Sequence, residues 1–439
     1  MLLQLPTEIL EEICQFVAAL QSRLWGMRLS CKALCDAADR AFYGHFMVSD
    51  RALIHRQPEK VRILEDIVRG ESKWTHHAKL VSISTSGIQI PVGEHEYSEL
   101  LSAAIKLMRN VRAVTLVVAR ADVPWVREAV QRAIPELPLL AELDIVVHRH
   151  IQMPRHVPIL IAGISGLKRL RLDVVAMRDS LGDQVAQIVS QSPQLTSLNL
   201  LGQVDYSAVG PILTSPKCRG VFLRVTINTV SSTLLAYLKS YSGLEQLALV
   251  GGDGSREASD KLADNFFQSV LLRHANTLVD LKVTAHYESR WSFGTHNIDS
   301  LLNLHQLKTL GVFVNREDVL ERGDGIQREL KAKTTGNAIH LLLDNVHHLP
   351  ALETVLICSA PSEGDRHGRY GTGPRMFRVI TSSVEAFRTE IASSVRVIGT
   401  YKQVVVADEA VDTESGVPRQ LFAYQRPPTS HVVSMSSVY

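Results

Sequence analysis

One phrase recurs through the middle of the chain: an aliphatic residue, two others, an aliphatic, one other, an aliphatic. It is written as Val111-Val114-Leu116, Leu140-Leu143-Ile145, Leu167-Leu170-Leu172, Leu195-Leu198-Leu200 and Cys218-Val221-Leu223. It continues as Leu244-Leu247-Leu249, Leu278-Leu281-Val283, Leu307-Leu310-Val312 and Leu352-Val355-Ile357, with weaker copies at Ala78-Val81-Ile83 and Ala392-Val395-Val397. First positions of the nine strong copies lie 29, 27, 28, 23, 26, 34, 29 and 45 residues apart. A period of this size means supersecondary units that cannot bury a face alone and must stack on their neighbours. Alternation inside each copy makes a short strand, its aliphatics inward and their neighbours outward.

Helical patterns separate the strands, over Val123 to Ile134, Leu181 to Ser190, Glu257 to His274 and Met376 to Ile391. Strand and helix in alternation predict a curved α/β solenoid with an aliphatic core, which fits an aromatic content of only 6%. Two glycine-rich insertions, Gly251 to Ser255 and Ser362 to Pro374, read as a helix-opening turn and a loop. After about Gly399, two strands joined by an acidic Gly-Pro turn are expected to close the last repeat, followed by a frayed tail. The solenoid is thus assigned to residues 46–400 and the terminal strands and tail to 401–439.

The first 45 residues are written differently. In "LPTEILEEICQFV", Pro6 suits the first turn of a helix and Glu8 its positive end. Ile9, Ile13, Phe16 and Val17 then recur at helical spacing, with Leu10 beside them. A second helix is read from about Leu24 to Arg40, with Met27, Cys31, Leu34, Cys35 and Ala38 continuing Leu24's apolar face and Trp25 and Leu29 on another side. Two helices this short cannot make a core of their own. They must lean on the repeats, on a partner, or on both.

This segment resembles an F-box, the helical module that binds the Skp-type adaptor of cullin-RING (SCF) ubiquitin ligases. The opening pattern is met by Leu5, Pro6, Glu8, Ile9, Leu10 and Ile13, and the second half by Leu24, Met27, Leu29, Cys31 and Lys32. Ser30 and Leu34 depart from it, where a hydrophobic residue and a tryptophan are usual. The repeats in turn are similar to the leucine-rich-repeat-like arrays that follow many F-boxes, although the asparagine three residues past the strand survives only as Asn315. The fold class implied is α/β: a small N-terminal helical F-box over residues 1–45, then an irregular leucine-rich-repeat-like solenoid. The resemblance implies a substrate-recognition subunit whose adaptor-binding residues are Leu5, Pro6, Glu8, Ile9, Leu10, Ile13, Leu24, Trp25, Leu29, Cys31 and Lys32, and whose partners are the adaptor and, through it, cullin and RING subunits. The alternative is a non-catalytic repeat scaffold whose degenerate F-box only caps the solenoid.

Other functions find little footing. Basic and acidic residues number 47 and 45, leaving no electrostatic reason to expect nucleic acid or an anionic membrane as partner. Five cysteines without a C-x-x-C predict no disulfide framework, and with no signal-peptide pattern the expected location is cytoplasmic or nuclear. Apolar runs such as Val157 to Ile164 are too short to span a bilayer. Neither glycine-rich segment fits a phosphate-binding loop, no G-x-S-x-G elbow occurs, and the paired histidines point apart on any regular element. We therefore expect no catalytic residue, no metal site and no cofactor. Binding of an unidentified target protein is expected on the outward strand positions, with Arg169, Arg171, Phe222 and Arg224 as the candidates.

Overall fold

The computed structural model describes residues 5–19, 31–49, 58–85, 94–118, 124–147, 161, 163–174, 181–202, 206, 208–214, 221–250, 255–285, 287–319, 336–362, 373–388, 395–399, 402–406 and 422–425. The chain divides into two compact units, Met1–Leu195 with Leu201–Val204 and Thr196–Leu200 with Asp205–Tyr439. In the first, helices α1 (Thr7–Ala19) and α2 (Lys32–Tyr43) precede strands β1 (His45–Ser49), β2 (Leu80–Thr85), β3 (Ala113–Val118), β4 (Glu142–Val147) and β5 (Arg169–Val174). Each of these strands pairs in parallel with the next. In the second, β6 (Ser197–Gly202), β7 (Arg224–Ile227), β8 (Gln246–Val250), β9 (Asp280–Thr284), β10 (Thr309–Val314), β11 (Thr354–Ser359) and β12 (Arg396–Gly399) repeat the rule. Strands β13 (Lys402–Val406) and β14 (Phe422–Gln425) add an antiparallel pair against β12, as the sequence predicted. The architecture is α/β and solenoid-like within each unit.

Register explains why the repeated phrase folds this way. Val81, Val114, Leu143 and Leu170 are neighbours on successive strands of the first unit, and none is more than 1% exposed. Leu198, Val225, Leu247, Leu281, Leu310, Val355 and Val397 form the matching row in the second. Every link in these rows is aliphatic, so strands about 4.8 Å apart can stack branched side chains without aromatic bulk. In β2, β3 and β4 the intervening residues are half-buried, giving a strict alternation, whereas in β10 the intervening Phe313 is buried as well. Three helices begin where the sequence offers a side-chain acceptor: Ser231 accepts from Leu234 N, Ser255 from Ala258 N, and Asn337 from Ile339 N and His340 N.

Three expectations are corrected. The fifth repeat does not run Cys218-Val221-Leu223 but Phe222-Val225-Ile227: β7 pairs Val225 with Leu247, Phe222 is 1% exposed and Val221 46%. An aromatic had taken the first aliphatic position and hidden the register. In the last repeat it is Val397, not Val395, that pairs with Val355, a shift of two residues. The second N-terminal helix does not run unbroken from Leu24 to Arg40. Cys31 is extended (φ −167°) and caps the helix that starts at Lys32, its sulfur 3.5 Å from Leu34 N, and residues 20–30 lie outside the described ones.

Asn315 does the work expected of its place. Its Oδ1 accepts from Ser289 N at 3.2 Å, and its Nδ2 donates to Ser289 O at 3.4 Å and Asp318 Oδ2 at 3.1 Å. The loop it holds, residues 287–297, was not foreseen. Trp291 there is buried against Phe266 and Phe267 and donates to Ser259 Oγ at 3.1 Å, while Arg290 reaches Asp260 and Asp264. The neighbouring helix carries a π-turn at Phe266–Val270 beside this insertion.

Candidate functional site

Helix α1 carries more apolar residues than one face can hold, and the structure divides them. Leu10 and Cys14 are buried with Leu34, Ala37 and Ala38 of α2, and Val17, Cys31 and Ala41 pack against that cluster. Burial pushes the Cys14 thiol up, with the Glu11 carboxylate adding to the shift. Ile9 and Phe16 remain outside at 41% and 66% exposure, seven residues apart and so on one side of the helix, and Leu5, just before the helix, is 37% exposed. Pro6 opens the helix, its carbonyl accepting from Ile9 N and Leu10 N at 3.1 and 3.2 Å. Pro6, Glu8 and Lys32 are exposed, and Ile13 and Cys31 are half-buried. Leu24, Trp25 and Leu29 lie outside the described residues. The sequence put Phe16 on the same stripe as Val17; the signal that would have separated them was the surplus of apolar positions around the helix.

The pair of helices is fastened to the first repeat rather than hung from it. Glu11 of α1 lies 2.5 Å from Arg40 Nε and 3.8 Å from Lys79 Nζ, just before β2. Buried Asp39 of α2 accepts from Lys73. Tyr43, Phe46 and Trp74 then meet edge to face, with Tyr43 and Phe46 at 5.1 and 5.2 Å from the Trp74 ring. Only Gly44 separates α2 from β1.

The second candidate, the outward strand face, comes out differently from the expectation. Arg169 pairs with Glu142 and Arg171 with Asp144 at 3.7 Å, each across two strands in register. Desolvation raises the Asp144 carboxyl despite the two arginines that pull it down. Phe222 is not on this face at all, for it is core and lies edge to face with Tyr237 at 5.7 Å. Arg224 is exposed at the start of β7. Arg169 and Arg171 belong to the first unit, and Phe222 and Arg224 to the second.

One buried constellation deserves a chemical reading. Asn337 donates to Ser383 Oγ at 3.2 Å, and His340 Nε2 sits 3.0 Å from the Ser383 carbonyl. A ring nitrogen facing a carbonyl must donate, so His340 cannot serve there as base to the hydroxyl. The cluster is a clasp between two helices.

No family model matches the chain, and no curated protein matches it. Among solved structures, one match is a Bacteroides fragilis protein determined as a structural-genomics target, 13% identical, with 74% of this chain and 70% of that chain covered and a TM-score of 0.29. A score that low carries neither fold nor function from that protein to this one. Among the described residues no helix is long and apolar enough to cross a membrane.

Proposed function

We propose that the protein is a substrate-recognition subunit of an SCF-type ubiquitin ligase, in the cytoplasm or nucleus. Its N-terminal helices form the F-box, dock on a Skp-type adaptor and through it join cullin and RING subunits. The repeats hold an unidentified target protein. The observation that carries the reading is the second apolar side of α1, where Ile9 and Phe16 are exposed although Leu10 and Cys14 are buried beside them, with Leu5 exposed just before the helix. A head that served only to cap the repeats would bury Leu5 and Pro6, yet both are exposed. Such a receptor acts by proximity, raising the local concentration of a target lysine near ubiquitin activated elsewhere in the assembly.

The test is adaptor binding by calorimetry, comparing the native chain with a Leu5→Ala/Pro6→Ala/Ile9→Ala variant and with Phe16→Ala, each checked by circular dichroism. Tight binding lost in the first and weakened in the second is the expected result. A folded native chain that binds no Skp-type adaptor would sink the assignment and leave a repeat scaffold.

A further inference from the structure

The turns that lead into the strands of the first unit carry a row of positive charge that the function above does not use. Lys79, Arg112, Ala141 and Lys168 occupy the same place, immediately before β2, β3, β4 and β5. Their backbones are in register: Arg112 N donates to Lys79 O at 2.8 Å, Ala141 N to Arg112 O at 2.8 Å and Lys168 N to Ala141 O at 2.7 Å. Successive members therefore stand about 5 Å apart, one strand spacing. Lys79, Arg112 and Lys168 are exposed, as is Arg109 in the same turn as Arg112, and of these Lys79 already faces Glu11 of α1 at 3.8 Å. At Ala141, where the row lacks a charge, the turn instead presents Leu139, 48% exposed. The turns are held by their own hydrogen bonds, Val111 N to Met108 O at 3.1 Å and Leu167 N to Ser192 Oγ at 3.2 Å, so the row is fixed before anything binds.

Arg109 and Arg112 form no ion pair among the described residues, whereas Arg169, Arg171 and Lys106 are each matched to a carboxylate. The feature is not a general property of the fold. The corresponding places in the second unit hold Thr196, Leu223, Glu245, Val279, Lys308, Glu353 and Val395, and Lys308 is paired with Glu353 at 3.2 Å. In a chain with a net charge of only +2, unneutralised arginines gathered along one edge are out of proportion.

We infer that this edge is a docking rail for an acidic polypeptide segment of a partner protein, with acidic side chains on Arg109 and Arg112 and an apolar residue of the same segment against Leu139. The apolar contact in the middle favours a polypeptide over a nucleic acid. A single-stranded nucleic acid would call for an aromatic platform, and the exposed large side chain in this row is a leucine. The inference is independent of adaptor binding, because the rail lies on the repeats and not on the outer stripe of α1.

The test uses the full chain and a fluorescein-labelled nine-residue peptide with four glutamates on each side of a central leucine, read by anisotropy at about 50 mM salt, where the Debye length exceeds 10 Å. Comparison probes are the same peptide with serine for leucine and a single-stranded oligonucleotide of equal charge. We expect saturable binding that weakens about tenfold in Arg109→Ala/Arg112→Ala and about fivefold with the serine peptide, and that Lys308→Ala in the second unit leaves unchanged. Binding that is absent, or indifferent to Arg109 and Arg112, overturns the inference. So does an oligonucleotide that binds as tightly as the peptide, which would make the row a nucleic-acid contact. Both alanines replace exposed side chains, and an unchanged circular dichroism spectrum distinguishes lost contact from lost fold.

Discussion

Replacing Phe222 by alanine should be among the most damaging single changes in the second unit, and replacing Val221 next to it should hardly register. Phe222 is 1% exposed and packs edge to face on Tyr237, with ring centroids 5.7 Å apart and planes at 69°. Truncating a buried phenylalanine costs about 3–5 kcal/mol through lost transfer free energy and the cavity left behind. That range includes an aromatic pair contributing about 0.5–1.5 kcal/mol. The hydrogen bond from the Tyr241 hydroxyl to the Phe222 carbonyl, 3.1 Å, is to the main chain and should survive. Val221 is 46% exposed, so its alanine variant should stay within about 0.5 kcal/mol. The measurement is urea unfolding by far-ultraviolet circular dichroism, with amide exchange across β6 to β8 read alongside because repeat arrays can open in blocks. If Phe222→Ala does not fold, Phe222→Leu should and should still cost more than Val221→Ala. Equal costs, or a larger one at Val221, would refute the register, for that is what Cys218-Val221-Leu223 demands.

Three other perturbations follow from single contacts. Asn315→Ala removes the acceptor of the Ser289 N–H, itself in a buried residue, and should lower stability by about 1–3 kcal/mol in the same urea assay. Gly202 has φ +100°, and a Cβ there would stand 1.9 Å from the Val174 carbonyl oxygen, so Gly202→Ala should lower the melting temperature severely or prevent soluble expression. His274 is held neutral by burial, its Nδ1 accepting from Leu244 N at 3.4 Å and its Nε2 facing Leu238 O at 2.9 Å, and burial also lowers His45, His77 and His340 below the ordinary 6.5. The unfolded chain then takes up protons first as acid is added, so stability should be full above about pH 6.5 and fall as pH drops below it. Urea midpoints at pH 7.5 and 5.5 read this directly, and an unchanged midpoint would contradict it.

Much of the fold was legible because one constraint is repeated. Where the phrase kept an aliphatic at all three places, as in Leu167-Leu170-Leu172, the strand, its inward face and its partner residues followed from the pattern. It failed where another residue type filled a place, as Phe222 did, because Val221 and Leu223 offered a rival alternation four residues before the true one. Slips by an even number of residues preserve which face is inward, which is why Arg224 stayed exposed under either register. The strand β1 and the loop around Trp291 were missed for another reason. His45 to Ser49 is too short to show a period, and the loop's contacts with Ser259, Asp260 and Asp264 are made at separations near thirty residues. At the head, the sequence located the apolar residues of α1 but not their division between α2 and solvent, which depends on where the second helix sits. The arginines of the strand face were legible as outward-pointing; their partners Glu142 and Asp144, one repeat earlier, were visible only once the strands were aligned.

The single glycine between α2 and β1 has a practical meaning for anyone who would trade modules among proteins of this shape. Phe46 lies in the aromatic group with Tyr43 and Trp74, and Asp39 and Glu11 hold lysines that belong to the following turn and strand. A chimera joined at residue 45 would cut through all of these at once. The smallest transferable head is the one that carries its own first rung, through Thr85, and a splice placed after that point would divide only the β2–β3 seam, where the inward residues Val81, Ile83, Val114 and Leu116 are all aliphatic.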